Sequence, residues 1–261
     1  MKVTVVQLSN DPDQLTIDMQ LLSKHVKEHQ SEFVLLPEMT FAPWLANTPD
    51  SNALKWQQAV ELHEQWISKL TALGMPATLS TRPIINGAGA RRNQAYLWQV
   101  ATGPQGIHDK YYLPNEPGYW EASWYDMGDP LFETARLGEV RLGVQICTEM
   151  WFFEHAREFA AKQVDLLCVP RVTPHSSVKK WLAGGQAAAV VSGAYHLSSN
   201  MYLPEGDDAD ISPDIGGLSW IVSPEGDILA TTSPDQPFVT LELDLSVSHQ
   251  AKKTYPRYVK V

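Results

Sequence analysis

The chain has 261 residues, enough for a well-buried core, and its 44% hydrophobic and 19% charged residues are typical of a folded globular protein rather than a disordered one. The formal net charge of −10 and the absence of a basic stripe argue against a nucleic-acid partner. No apolar run is long enough to span a bilayer and no signal-peptide pattern is present, so we expect a cytoplasmic protein without a membrane partner.

The first half of the chain alternates predicted strands and helices. Apolar runs of strand length flank a segment whose apolar residues recur at helical spacing. The predicted elements are a strand over 3–8, a helix over 15–26, a strand over 33–36, a helix over 56–70, and strands over 77–85 and 95–100. This order begins with a strand–helix–strand unit, which favours an α/β fold.

The second half starts with an aperiodic segment and then returns to alternation. Residues 109–130 are rich in Pro, Gly and aromatic side chains, which predicts a long ordered loop. Beyond it, strands are predicted over 140–146, 165–169, 218–222, 228–230 and 238–243, with helices over 151–162 and 180–192. No linker, repeat or low-complexity segment interrupts the pattern, so we expect a single domain over residues 1–261.

Reactive side chains occur where predicted strands end. Glu38, Cys147 and Arg171 each follow an apolar strand within two residues. Because ligands in α/β sheets lie beyond the carboxyl ends of strands, we expect these side chains to converge on one site. Lys110 stands at the start of the aromatic loop, where it could equally be an ordinary solvated lysine.

Cys147 has the surroundings expected of a nucleophile. It is predicted to lie in a tight turn between a strand and a helix, where free N–H groups and the helix dipole favour a thiolate and could hold an oxyanion. A free thiol needs such help, or a base, because its pKa is about 8.5. The alternative is a small core residue. Cys168 is assigned to the core because it lies inside an apolar run.

Five short motifs occur in a fixed order along the chain. They are Leu35-Leu-Pro-Glu38, Asp109-Lys-Tyr-Tyr-Leu-Pro114, Pro117-Gly-Tyr-Trp-Glu121, Gly143-Val-Gln-Ile-Cys-Thr-Glu-Met-Trp-Phe-Phe-Glu154 and Gly216-Gly-Leu-Ser-Trp-Ile-Val-Ser-Pro-Glu-Gly-Asp-Ile-Leu229. Together they resemble the signatures of the nitrilase superfamily of carbon–nitrogen hydrolases, in its amidase and carbamoylase branches. The resemblance covers nearly the whole chain.

The resemblance implies a fold, a chemistry and an assembly. The fold is a four-layer α-β-β-α sandwich, usually paired with a second subunit as a homodimer or higher homo-oligomer. The implied roles are Glu38 as general base, Lys110 as stabiliser of the tetrahedral intermediate, Cys147 as nucleophile and Glu121 as a second acid that orients Lys110 and the substrate nitrogen. The implied reaction hydrolyses a small-molecule amide or N-carbamoyl compound through a thioester and needs no metal or other cofactor.

Three residues near the predicted site are candidates for substrate binding. Thr148 and Glu149 follow the nucleophile, where the amidase branches commonly carry an aromatic residue and an acid. Thr148 is therefore a departure that bears on the substrate rather than on the reaction. Trp120 and Trp151 flank the site and could form pocket walls, although aromatic packing is the commoner role of such residues.

Arg171 is a fourth candidate for substrate binding. Its position at a strand end predicts that it faces the mouth of the pocket, where its guanidinium could bind a substrate carboxylate in a bidentate manner. The alternative is a structural ion pair with an acid such as Glu149 or Asp165.

A pair of histidines and a run of acidic residues are weak candidates for metal sites. His25 and His29 have the i, i+4 spacing of zinc ligands but lack a third ligand, and the acidic run over 205–210 lacks the calcium-loop pattern. Neither is predicted to bind metal.

The competing functions are a nitrilase, which uses the same Cys, Glu and Lys on a nitrile, and a catalytically idle binding module. Retention of all four charged or nucleophilic positions favours an enzyme, because buried charges without a function are costly.

Overall fold

The computed structural model describes residues 1–203 and 215–259, so the acidic run over 205–210 lies outside the described residues. The strands are β1 (Lys2–Ser9), β2 (Phe33–Leu35), β3 (Ala77–Ile85), β4 (Arg91–Gln99), β5 (Gly103–Asp109), β6 (Thr134–Leu137), β7 (Val140–Val144), β8 (Leu166–Arg171), β9 (Tyr195–Tyr202), β10 (Trp220–Val222), β11 (Ile228–Thr231) and β12 (Phe238–Glu242). The α-helices are α1 (Pro12–His29), α2 (Ala53–Lys69), α3 (Glu121–Trp124), α4 (Phe153–Ala161), α5 (Val178–Ser192) and α6 (Leu245–Ala251). Short 3-10 helices occur at Leu45–Asn47, Cys147–Trp151 and His175–Ser177.

Two sheets meet at β1. The first has the strand order β5-β4-β3-β2-β1-β12, and the second has the order β6-β7-β8-β9-β10-β11. The N-terminal part of β1 pairs with β2 and β12, whereas its last residues, from Gln7 to Ser9, pair in parallel with β9. The central strands β2, β1, β9, β8 and β7 are parallel, so their carboxyl ends open at the same edge.

The side-chain alternation of β1 shows how the layers are built. Val3 and Val5 pack in one core with residues of β7 and β8, whereas Val6 and Leu8 pack against α1 on the opposite face. Helices α1 and α2 cover the first sheet, and α4 and α5 cover the second. The layers therefore follow the order α-β-β-α, and the predicted fold is confirmed.

Strand β9 was missed by the sequence pattern. Its central residues are polar, yet they are buried because each hydroxyl finds a partner: Ser198 Oγ donates to Val169 O at 2.9 Å and Ser199 Oγ donates to Leu35 O at 2.6 Å. A strand whose buried positions are satisfied by hydrogen bonds carries no apolar run. Strands β5 and β6 and helix α6 were also not predicted, since each is short or largely polar.

A buried histidine makes the fold sensitive to acid. His63 Nδ1 donates to Ala59 O at 2.7 Å and its Nε2 accepts from Phe41 N at 3.3 Å, so only the neutral ring satisfies both contacts. Burial lowers the pKa of His63 from 6.5 to about 4. His63 is harder to protonate in the folded state than in the unfolded state. We therefore expect its full contribution to the free energy of unfolding above pH 6.5, and a loss of that contribution as the pH falls towards 4.

Replacing His63 by Gln is expected to remove this pH dependence. Wild type should lose roughly 3 kcal/mol more free energy of unfolding than His63→Gln between pH 7 and pH 4, measured by urea unfolding at each pH. His29→Gln, on the exposed end of α1, should behave as wild type. Equal pH slopes for wild type and His63→Gln would contradict this assignment.

Candidate active site

Glu38 lies in a rigid turn at the carboxyl end of β2. Pro37 O, just before it, accepts a hydrogen bond from Ser80 Oγ at 2.7 Å, and Met39 N, just after it, donates to Thr81 Oγ1 at 2.8 Å. Both partners belong to β3, so the neighbouring strand fixes the turn on either side of the carboxylate. Glu38 itself is fully buried.

Lys110 lies between two buried carboxylates. Its Nζ donates to Glu38 Oε1 at 2.7 Å and to Glu121 Oε1 and Oε2 at 2.8 and 2.6 Å. All three side chains are fully buried. Burial alone lowers the pKa of Lys110, but Glu121 and Glu38 more than reverse this and raise its pKa above the usual value, which favours the charged ammonium.

The two oxygens of Glu38 have different partners. Oε1 accepts from Lys110 and also from Asn93 Nδ2 at 2.7 Å. Oε2 is buried and accepts no hydrogen bond within the described residues. A buried carboxylate oxygen without a donor is costly, which makes Oε2 the natural acceptor for a proton or a water in the site.

Cys147 begins the 3-10 helix that follows β7. Its φ of 50° puts it in the left-handed region, which is uncommon outside Gly and turns the side chain sharply out of the strand direction. Its Sγ lies 3.6 Å from Val172 O, at the end of the neighbouring strand β8. The N–H of the next residue, Thr148, donates to no backbone or side-chain acceptor in the described parts of the chain, so it is free to bind an oxyanion.

The surroundings of Cys147 favour the thiol over the thiolate. Burial and the nearby Glu38 carboxylate raise its pKa well above the usual value, and Lys110 offsets only part of this. The helix end was expected to supply only part of what a thiolate needs, and the raised pKa means that the thiol needs a base to take its proton when it attacks.

Glu121 has a raised pKa for the same reason. Burial and the nearby Glu38 raise it to about 7, against the opposing effect of Lys110. Its carboxylate also accepts a hydrogen bond from the buried Tyr125 hydroxyl. Tyr125 and Lys110 together hold Glu121 in one orientation.

A further buried acid, Glu149, connects the segments that carry Lys110 and Cys147. Its carboxylate accepts from Tyr111 N and from Ile146 N, both at 2.7 Å, and from His108 Nε2 at 2.9 Å. Tyr111 and His108 lie on either side of Lys110 in the sequence, and Ile146 precedes Cys147. The Glu149 side chain therefore fixes the position of Lys110 relative to Cys147. Burial lowers the pKa of His108, but Glu149 more than compensates and raises it.

Replacing Glu149 by Gln is expected to destabilise the fold. An amide cannot accept from all three donors, and it leaves His108 buried without its counter-charge. We expect a loss of about 3 kcal/mol in the free energy of unfolding, measured in urea. Glu154→Gln, an exposed acid five residues away, is the matched control and should be neutral. A Glu149→Gln protein as stable as the control would show that Glu149 is not the anchor described.

A cavity of about 320 Å³ leads to Cys147. Cys147 and Glu121, which are almost or fully inaccessible to solvent, form its deepest part. Trp151 and Trp181 form one wall, with ring centroids 5.2 Å apart. The volume suits a small molecule.

The structure separates the four predicted substrate-binding residues into two pairs. Thr148 and Trp151 line the cavity, whereas Trp120 and Arg171 do not. Trp120 precedes α3, and its backbone N donates to Ala46 O at 2.8 Å. Trp120 thus contributes to the position of Glu121, the first residue of α3, rather than to the cavity wall.

The predicted orientation of Arg171 is wrong. Its guanidinium is fully buried, donates to Ser198 Oγ at 2.9 Å, to Thr173 Oγ1 and to Leu218 O, and lies 4.2 Å from the ring centre of Trp220. The residue is at the expected strand end, but the side chain turns towards β9 and β10 instead of the cavity mouth. Burial lowers its pKa to about 9.

The alternative ion pairs for Arg171 are also wrong. Glu149 pairs with His108, and Asp165 contacts His249 Nε2 at 2.9 Å and accepts from Arg141 N at 2.9 Å. Hydroxyl and carbonyl oxygens, rather than a carboxylate, satisfy the guanidinium.

Sequence reasoning missed Asn93 and Tyr125. The side-chain amide of Asn93 donates to Glu38, and its backbone carbonyl accepts from Lys110 N at 2.8 Å. The strand was predicted to start after Asn93, so its inward-facing amide was not considered. Tyr125 follows Glu121 at the i, i+4 spacing of neighbouring helix positions, which is a signal that the sequence offered.

Neither metal binding nor membrane crossing has support in the described ranges. His25 and His29 stack on each other at 4.0 Å, and no group of three or more metal-ligating side chains occurs in residues 1–203 and 215–259. No helix in that part of the chain combines the length and the apolar composition needed to cross a bilayer.

The fold and the site together define the class of protein: a carbon–nitrogen hydrolase. A family model described as carbon-nitrogen hydrolase matches residues 2–253, and the chain belongs to this family. Its structure is similar to that of a carbon-nitrogen hydrolase from Helicobacter pylori G27, with a TM-score of 0.84, 20% identity, and coverage of 98% of this chain and 94% of that one.

Two curated relatives have named activities. A citrullinase from Francisella tularensis subsp. tularensis is 27% identical over 245 residues, which cover 88% of this chain and 83% of the relative. An N-carbamoylputrescine amidase from Arabidopsis thaliana is 25% identical over 161 residues, which cover 58% of this chain and 54% of the relative. Membership of the family supports hydrolysis of carbon–nitrogen bonds.

Proposed function

We propose that this protein hydrolyses the C–N bond of a small linear amide or N-carbamoyl compound through a thioester on Cys147. The observation that carries the proposal is the unpartnered Oε2 of Glu38, a proton acceptor held in a buried site whose charges act on the Cys147 thiol. A thiol with a raised pKa requires such a base. The ammonium of Lys110 offsets the negative charges of the site.

The first half-reaction forms the acyl-enzyme. Glu38 Oε2 takes the proton from Cys147 as its sulfur attacks the carbonyl carbon, and the new oxyanion is bound by the N–H of Thr148 and by Lys110 Nζ. The intermediate then collapses, the C–N bond breaks, and the leaving nitrogen takes the proton from Glu38. The products of this step are a free amine or ammonia and a thioester.

The second half-reaction restores the enzyme. Water gives a proton to Glu38 and attacks the thioester carbon, and the S–C bond breaks as Cys147 takes the proton back. An amide yields a carboxylic acid. A carbamoyl compound yields carbamic acid, which decomposes to carbon dioxide and a second nitrogen product.

The names of the relatives favour a terminal carbamoyl group. Citrulline and N-carbamoylputrescine both carry a ureido group at the end of a short alkyl chain, and the two relatives are named for acting on them. A cavity with a polar reacting end and an aromatic wall suits such a molecule.

A nitrilase is the second candidate because it needs the same nucleophile, base and cation. The observation that favours an amide or carbamoyl substrate is Glu121, a second carboxylate lining the cavity that can orient a substrate N–H. A nitrile nitrogen offers no N–H to this acceptor.

A substrate panel tests the proposal. The protein is incubated with linear amides, alkyl ureas and nitriles of matched chain length, and ammonia, amine and acid are measured. We expect amides or ureas to be hydrolysed and nitriles to be spared. Consumption of the nitriles would favour a nitrilase, and no reaction in any class would favour a binding module. Protein carrying Cys147→Ala controls for contaminating activity.

A further inference from the structure

Two opposite charges stand at the rim of the active-site cavity. Glu116 and Lys180 both line it and are both exposed, unlike the catalytic charges below them. In the described parts of the chain, neither side chain makes a hydrogen bond or an ion pair, whereas Glu121, the other charged lining residue, is bound to Lys110. The rim charges are therefore available to a ligand.

Glu116 is held in place by a tight turn. Its backbone N and O both pair with Tyr119, at 3.4 and 2.8 Å, and the turn between them contains Pro117 and Gly118. Gly118 has a φ of 82°, the left-handed geometry that the third residue of a type II turn requires. The turn is fixed further by Trp44 Nε1, which donates to Gly118 O at 2.9 Å.

Lys180 reaches the cavity from a different element. It lies in the first turn of α5, next to Trp181, which is 8% exposed and belongs to the aromatic wall. The cavity thus has three zones: a reacting end at Cys147, an apolar middle between the aromatic and proline side chains, and a rim with one acid and one base.

We infer that the cavity recognises the zwitterionic head of an α-amino acid whose side chain ends in an amide or ureido group. Lys180 binds the carboxylate and Glu116 binds the ammonium. The methylene chain crosses the apolar middle of the cavity and brings the reacting carbon to Cys147. The inference rests on the proposed function and names its substrate class.

The pair of charges distinguishes this head from simpler ones. A purely cationic head, as in a carbamoyl diamine, would be attracted by Glu116 but repelled by Lys180. A purely anionic head would be attracted by Lys180 but repelled by Glu116. Only a head with both charges at one end satisfies both residues.

Four ureas of similar chain length test the inference. They are L-citrulline as the zwitterion, N-carbamoylputrescine as the cation, 5-ureidopentanoate as the anion and n-butylurea as the neutral compound. A parallel series of amides uses L-glutamine, 4-aminobutanamide, glutaramate and butyramide. We expect the zwitterion of the reactive series to have the highest kcat/KM, by about 10-fold or more.

Rim variants assign each charge. Lys180→Met should lower kcat/KM about 10-fold for the zwitterion and the anion, mainly by raising KM. It should raise kcat/KM for the cation, which Lys180 repels, and leave the neutral compound unchanged. Glu116→Gln should lower kcat/KM for the zwitterion and the cation instead, and raise it for the anion, which Glu116 repels. Lys179→Met changes the neighbouring exposed lysine, which does not line the cavity, and should resemble wild type for all four compounds.

The outcomes separate the inference from the proposed function. If one series is hydrolysed with equal kcat/KM for all four heads, or if the rim variants lose activity equally on all four, the inference is overturned while the proposed function stands. If no compound in either series is hydrolysed, the proposed function itself fails.

Discussion

Replacement of Cys147 by Ala is expected to lower kcat/KM by a factor on the order of 10⁵, because in the proposed mechanism the Cys147 sulfur forms the bond to the substrate. The fold should survive. Ala has the same Cβ as Cys, and the loss of one buried sulfur costs about 1 kcal/mol. The measurement is ammonia release under saturating and limiting substrate, with thermal unfolding as the check on folding.

Cys168→Ala is the matched control. Cys168 is fully buried in the middle of β8, and burial raises its pKa far above the range in which a thiolate forms. This variant should retain turnover within about threefold of wild type. Equal loss of activity from both cysteine variants, with both proteins folded, would remove Cys147 from the role of nucleophile.

Replacement of Glu121 by Gln is expected to lower kcat by about 10²- to 10³-fold, the effect of losing one preorganised electrostatic partner. Glu121 accepts two of the three hydrogen bonds from Lys110 Nζ, and an amide would hold this ammonium more weakly and in a different orientation. The fold should remain intact because Glu38 still neutralises Lys110.

The pH profile gives an independent readout of Glu121. Burial raises its pKa to about 7, and only the ionised form, present above that pH, holds Lys110 as a charge partner. We therefore expect the kcat of wild type to fall as the pH drops below 7, and this limb to be absent or displaced in Glu121→Gln. An unchanged rate and an unchanged profile would place Glu121 outside the mechanism.

The sequence predicted the central strands well because their apolar runs record burial directly. The strand predicted over 77–85 coincides with β3, and the runs near β1, β2 and β8 were also found. The strand predicted over 95–100 was truncated, because the first residues of β4 (Arg91–Gln99) are polar. That truncation hid Asn93, whose side-chain amide contacts Glu38 and whose backbone carbonyl contacts Lys110.

The candidate site was partly predictable for a different reason. Residues placed by a strand end and a local motif, namely Glu38, Lys110, Glu121 and Cys147, do come together in the structure. Arg171 also stands at a strand end, but the direction of its side chain depends on contacts with β9 and β10 that the local sequence does not encode.

A similar reason explains why the rim of the cavity could not be predicted from the sequence. Glu116 and Lys180 are 64 residues apart in the sequence, and each is an ordinary exposed charge in its own segment. They become a pair only because the long loop after Lys110 and the start of α5 border the same cavity. Long-range placement of this kind leaves no periodic pattern.

The central claim is that Cys147 becomes acylated during turnover, and mass spectrometry of the acid-quenched protein tests it most directly. Wild type is quenched during steady-state turnover of a substrate found by the panel, digested with a protease, and the peptides containing Cys147 and Cys168 are compared. We expect the mass of the acyl or carbamoyl group on the Cys147 peptide alone, absent from Cys147→Ala and lost on treatment with hydroxylamine. Rapid turnover with an adduct on Cys168, or undiminished turnover by Cys147→Ala, would contradict the account.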